Sequence, residues 1–151
     1  MALRYDRLQS NLKVVNTGSV TLTAGPDELA VVDLTAAPYA HGIHSVMFCL
    51  QSMSLSGTLT LTVSGNTAAN GSGTDTVLAT MVVAAADTDA VLEISSELIG
   101  HFSDRDAANN YYKSLVLDGD GENTDTIKLC SVADCLSSQE GMTPSDTTTV
   151  T

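Results

Sequence analysis

A chain of 151 residues with 18 Asp and Glu against 6 Lys and Arg carries a formal net charge of -12. That surplus repels phosphate backbones and argues against nucleic-acid binding. Hydrophobic residues make up 43%, enough for the single core of one domain, yet no run approaches the roughly 18 apolar residues of a membrane-crossing helix.

The chain begins Met1, Ala2, Leu3, Arg4, Tyr5, Asp6, Arg7. Charges scattered through this start, with no apolar stretch of signal-peptide length behind them, predict synthesis in the cytoplasm without secretion. Arg4, Arg7 and Lys13 outweigh Asp6, so residues 1–13 form a weakly basic arm ahead of an acidic body. Such an arm either reaches another subunit's acidic surface or folds onto its own body.

Strand signals then follow one another at short intervals. Val20, Leu22 and Ala24 alternate with Thr21 and Thr23 before the turn Gly25, Pro26, Asp27. Residues 29–34 form a second apolar stretch that stops near Pro38. Residues 43–50 form a third, apolar enough to be buried on both faces, with Cys49 inside it as a small hydrophobe. The clearest pattern comes next: Met53, Leu55, Leu59, Leu61 and Val63 alternate with Ser54, Ser56, Thr58, Thr60 and Thr62, broken only at Gly57. A period of two predicts one long strand with an apolar face and a hydroxyl face. Residues 64–74, with Gly65, Asn66, Asn70, Gly71 and Gly73, predict a surface loop.

In the second half, residues 77–83 and 91–94 flank the small acidic segment 84–89, predicting a hairpin or a sheet-to-sheet corner. Residues 95–100 read as one capped helical turn and 103–110 as another. Residues 111–117 and 126–132 bracket the loop 118–125 as a late antiparallel pair. About eight short strands and one or two short helical turns near 95–110 predict an all-β fold, an antiparallel β-sandwich of jelly-roll type. The predicted organisation is an arm (1–13), the β-sandwich (14–135) and a Ser/Thr-rich tail (136–151), too poor in apolar side chains to order itself in water.

Candidate chemistry is sparse. His41 and His44 are three apart, which on a strand puts them on opposite faces, and His101 is distant. In the loop 118–125, Asp118, Asp120 and Asp125 resemble the start of a calcium loop. Asn123 then stands where the sharp turn needs Gly, and Leu129 where the bidentate Glu belongs; a solvated acidic hairpin tip is the plainer reading. Cys130 and Cys135 have no zinc-ligand spacing, although a disulfide between them is conceivable. No Gly-x-Ser-x-Gly elbow and no phosphate-cradling loop is present. Trp is absent and aromatics are 4%, leaving Tyr5, Tyr39, Tyr111 and Tyr112 as the available polar-tipped platforms for a sugar. The triplet Asn70, Gly71, Ser72 is formally a glycosylation sequon, read here as a loop. The chain is thus read as a non-enzyme without cofactor.

A basic arm, an acidic Thr- and Ala-rich β-body and a polar Ser/Thr tail together resemble the small decoration, or cement, proteins of tailed-bacteriophage capsids. The resemblance covers the whole chain in style and rests on no specific motif. It implies a structural virion protein, a homotrimer bound to the major capsid protein on the outer capsid surface, with no nucleic acid or membrane as partner. On that reading Arg4, Tyr5 and Arg7 become partner contacts, and the uncharged row Thr58, Thr60, Thr62 becomes a face that another subunit covers. The alternatives are a receptor- or glycan-binding module of a phage fibre or tail, and a minor capsid subunit.

Overall fold

A computed structural model describes residues 11–16, 19–35, 43–95, 98 and 112–136. Among them the chain forms nine strands: β1 (Asn11–Asn16), β2 (Val20–Thr21), β3 (Asp27–Asp33), β4 (Ile43–Ser54), β5 (Leu59–Asn66), β6 (Asp75–Val83), β7 (Ala90–Ser95), β8 (Ser114–Asp120) and β9 (Thr126–Leu136). All pair antiparallel, and the pairs are nested: β1 and β2 with β9, β3 with β8, β4 with β7, β5 with β6. The chain is therefore one long hairpin whose innermost turn is residues 67–74. It rolls up because β4 also pairs β9 and β5 also pairs β8. The result is a β1-β9-β4-β7 sheet, with β2 beside β9, facing a β3-β8-β5-β6 sheet, the nested double Greek key of a jelly roll.

Alternation fills the space between the sheets. Val46, Phe48 and Leu50 of β4 and Val132, Cys130 and Ile127 of β9 face Leu59, Leu61 and Val63 of β5 and Leu115 and Leu117 of β8, all at most 1% exposed. At burial of this order each such side chain contributes about 1.5–3 kcal/mol over its exposed state. Phe48 is the largest side chain of this core. At one end the ring of Tyr112 covers Gly65 so closely that a Cβ there would stand 2.3 Å from the ring.

Several sequence expectations change in the folded chain. The alternation from Met53 to Val63 is not one strand: β4 ends at Ser54 and β5 begins at Leu59, in the opposite sheet. The phase survives because the chain turns over a common core, so Met53 and Leu59 are both inward and buried. Ser64, Gly65 and Asn66 belong to β5 and are buried, where a surface loop was expected. Residues 84–89 form the sheet-to-sheet corner, since β6 and β7 lie in different sheets. Residues 114–120 and 126–136 are not paired with each other either, because β8 and β9 also belong to opposite sheets. Met47 and Cys49, expected in a strand buried on both faces, are half-buried on the outer face.

The conceivable Cys130–Cys135 disulfide is excluded. Both residues belong to β9, and five steps of extended chain separate them by roughly 16 Å, far beyond the Cα spacing of about 4.4–6.8 Å that a disulfide spans. Cys130 is a free, buried thiol. Of the one or two helical turns expected near 95–110, only Leu98 is described, and it is helical; the rest lies outside the described residues. Two boundaries of the expected organisation are crossed by strands: β1 begins at Asn11, within the arm, and β9 continues to Leu136.

Candidate interface on the four-stranded sheet

The outward positions of β5 carry Thr60 and Thr62, and the neighbouring strands decide what surrounds them. In register with Thr60 stand Asp120 on β8 and Val82 on β6; in register with Thr62 stand Asp118 and Thr80. Across β8, Glu28 of β3 lies opposite Asp118. The hydroxyl row read as uncharged is thus bordered by carboxylates, a correction that no single strand could supply. Thr58 is exposed but belongs to the turn before β5. Of the three threonines, the structure brings Thr60 and Thr62 together on the sheet.

The carboxylates interact. Partial burial, and then the negative charges of Asp75 and Glu28, push the Asp118 carboxyl above its ordinary pKa of 3.8. All three causes disfavour the ionised form, so the free face carries an electrostatic penalty at neutral pH.

The other half of the same face is covered by the protein itself. The loop 67–74 folds back onto Val31 and Val116, and a Cβ on Gly71 would come within 3.2 Å of both; Val116 is accordingly 3% exposed. Asn66, fully buried, holds the loop down. Its Nδ2 donates to the Gly71 carbonyl at 2.9 Å and to Asp75 Oδ1 at 2.7 Å. Its Oδ1 accepts from Ala68 N at 2.8 Å and Gly73 N at 2.9 Å. Ser114 Oγ adds a bond to the Ala68 carbonyl at 2.7 Å. A buried amide with every one of these groups paired rigidifies the loop. Sequence reading passed over Asn66 because Asn beside Gly is ordinarily a turn signal.

Asp125 does not share the face of Asp118 and Asp120. They lie on the outer face of the sheet, whereas Asp125 is 2% exposed where the chain crosses from β8 to β9. Its Oδ1 accepts from Ser56 N and Ser56 Oγ, each at 2.7 Å, and its Oδ2 from Glu122 N at 3.2 Å. Burial alone would raise its pKa, but the bonds from Ser56 and Glu122 outweigh burial and hold it below 3.8. The backbone of Leu22 completes the corner, donating to the Asp125 carbonyl at 2.8 Å and accepting from Thr124 N at 3.2 Å.

The calcium-like spacing of this segment has another origin. Gly119 and Gly121 are inward positions, where a Cβ would approach Leu29 Cδ1 to 2.9 Å and Leu22 Cδ1 to 2.8 Å respectively. The alternation of Asp and Gly is therefore strand alternation with the core pressed against the glycines. Among the described residues no three His, Cys, Asp or Glu side chains are arranged to hold a metal ion. Arg4, Tyr5, Arg7, Tyr39, His41, His101, Tyr111 and the tail from residue 137 lie outside the described residues.

No protein-family model matches the chain, and no curated protein matches it. Among solved structures, the chain is similar to the crystal structure of PirA, at 13% identity and a TM-score of 0.37 over 83% of this chain and 93% of that one. It is similar as well to the CBM22-1 and GH10 modules of xylanase 10B from Clostridium thermocellum, solved with xylohexaose, at 15% identity and a TM-score of 0.38 over 83% of this chain and 24% of that one.

Proposed function

We propose that this chain is a structural binding module that seats the open half of its four-stranded sheet on a larger assembly, as a decoration protein seats on the outer surface of a phage capsid. The observation that carries the reading is the grouping of Thr60 and Thr62 with Asp118, Asp120 and Glu28 on one face of the sheet. Burial is the main cause of the raised Asp118 pKa, and the like charges of Asp75 and Glu28 add to it; a cationic surface offsets those charges, which suits the face to a basic partner. The basic arm of residues 1–13 supplies a complementary charge for the acidic body of a neighbour, and the hydroxyls supply short hydrogen bonds at little entropic cost. The partner on this reading is a major capsid protein, the location is the virion surface and no catalysis is involved.

The test is co-sedimentation of the full chain with purified tailed-phage heads that lack a decoration protein. Asp118→Lys combined with Asp120→Lys should abolish binding while leaving the circular dichroism unchanged. Because β1 begins at Asn11, the truncation that probes the arm ends at Ser10, and it too should release the protein from the heads. Binding that survives both changes overturns the reading. Retention on a glycan array without retention on heads replaces it with a receptor-binding module.

A further inference from the structure

β6 is the last strand of the order β3-β8-β5-β6. One backbone edge pairs β5, and the other has no strand partner among the described residues. Natural edge strands are ordinarily guarded by Lys, Pro or an inward-pointing charge. The sequence of β6, DTVLATMVV, contains none of these; its one protective feature is the bulge between Ala79 and Val77, and from Thr76 to Ala86 no charged residue occurs in a chain of net charge -12.

The side chains along this edge are apolar and incompletely covered. Val77 and Val82 are 61% and 64% exposed, while Leu78, Ala79 and Met81 pack only partly against the core. β7, the edge of the other sheet, continues the same character with Val91 54% exposed and Leu92 partly buried. One flank of the sandwich thus exposes Val77, Val82 and Val91, the first two along a strand that carries no charge from Thr76 onward.

We infer that this edge is where two copies of the chain join, β6 against β6, antiparallel about a two-fold axis. The charge distribution selects a second copy as occupant. Two acidic molecules repel over most of their surfaces, and β6 from Leu78 to Val83 is a line of approach that carries no carboxylate. A basic partner, by contrast, gains nothing from an uncharged strand.

The strand admits a self-complementary register. Centring the axis on Met81 places Met81 opposite its own copy, Val82 opposite Thr80 and Val83 opposite Ala79. Inward side chains then meet inward ones, and the outward Val82 and Thr80 meet each other. The regular segment ends at Leu78, which the bulge between Ala79 and Val77 leaves without a β5 partner. Backbone hydrogen bonds would run on through the axis and join the two four-stranded sheets into one of eight.

The experiment is the mass of the full-length chain in solution, by sedimentation velocity, for the unchanged protein and for Val82→Lys and Thr80→Lys. Both positions are exposed, so the variants should keep the circular dichroism and cooperative melting of the parent. The expected result is a dimer that becomes a monomer in each lysine variant and stays a dimer in Asp120→Lys. A monomeric parent, a trimer, or a dimer that survives both lysines overturns the inference. No capsid is needed, so this outcome is independent of the proposed function.

Discussion

Asp125 and Ser56, 69 residues apart, are joined twice: both the backbone N–H and the Oγ of Ser56 donate to Asp125 Oδ1 at 2.7 Å. The pair ties the turn between β4 and β5 to the crossing between β8 and β9. One carboxylate therefore fixes two of the places where the chain changes sheets.

Replacing Asp125 with Ala leaves Ser56 N and Glu122 N without their acceptor in a buried corner. The expected loss is about 1.5–3 kcal/mol, the range for hydrogen bonds to a charged group, read as a fall in the urea midpoint. The pH dependence has a defined sign. The folded pKa of Asp125 lies below 3.8, so its stabilisation is complete above the unfolded value and disappears as the pH falls through the folded one. Asp125→Asn should flatten the stability profile below about pH 4 and cost stability at pH 7.

Asp118 has the opposite sign. Its folded pKa is raised, so its ionised form burdens the folded state at neutral pH, and that burden lifts as the pH falls toward the unfolded value. Asp118→Asn should stabilise the protein at pH 7 by up to about 0.5 kcal/mol, the scale of a partly exposed, solvent-screened site. The gain should vanish by about pH 3. Thermal melts of both proteins at the two pH values check this, and a destabilised variant at pH 7 contradicts it.

Leu61 and Thr62 are neighbours in sequence on opposite faces of β5. Leu61→Ala removes a side chain that is 0% exposed and should cost about 2–5 kcal/mol; Thr62→Ala should change stability by no more than about 0.5 kcal/mol. Gly119→Ala provides the complementary test, since its methyl group would crowd Leu29 at a cost of about 1–3 kcal/mol. Chemical denaturation of the three variants distinguishes the inward glycine from a calcium-loop glycine, whose replacement would leave the metal-free protein unchanged.

Cys130 is buried, and burial, with the neighbouring Cys49 as a lesser cause, pushes its thiol pKa up to about 11. Reactivity follows the thiolate, so at pH 8 native Cys130 should resist iodoacetamide and react fully only after denaturation. Peptide mass mapping of native and unfolded samples measures this, and rapid native labelling of Cys130 contradicts the placement of β9 in the core.

The two faces of β5 were legible because side chains alternate with a fixed period of two, a local property of extended chain. Leu59, Leu61 and Val63 could be assigned inward from that rule alone, and a sandwich of jelly-roll type followed from the number and spacing of such segments. Partner strands were not legible. The Met53–Val63 alternation looks the same whether the chain runs straight or turns into the opposite sheet, because both keep the apolar side on one core. The Asp-Gly alternation of residues 118–121 likewise matched a calcium loop until Leu22 and Leu29 were found against the glycines.

The sequence by itself determined an all-β chain, a large acidic surplus and the apolar face of Leu59, Leu61 and Val63, since composition and periodicity are properties of consecutive residues. The tertiary structure decided that Asp118 and Asp120 border Thr60 and Thr62, that Asp125 serves the fold and that β6 forms an edge. Each of these depends on which distant strands lie side by side. That order is set by how the nested hairpin rolls over its shared core, a condition on all strands at once and on none alone.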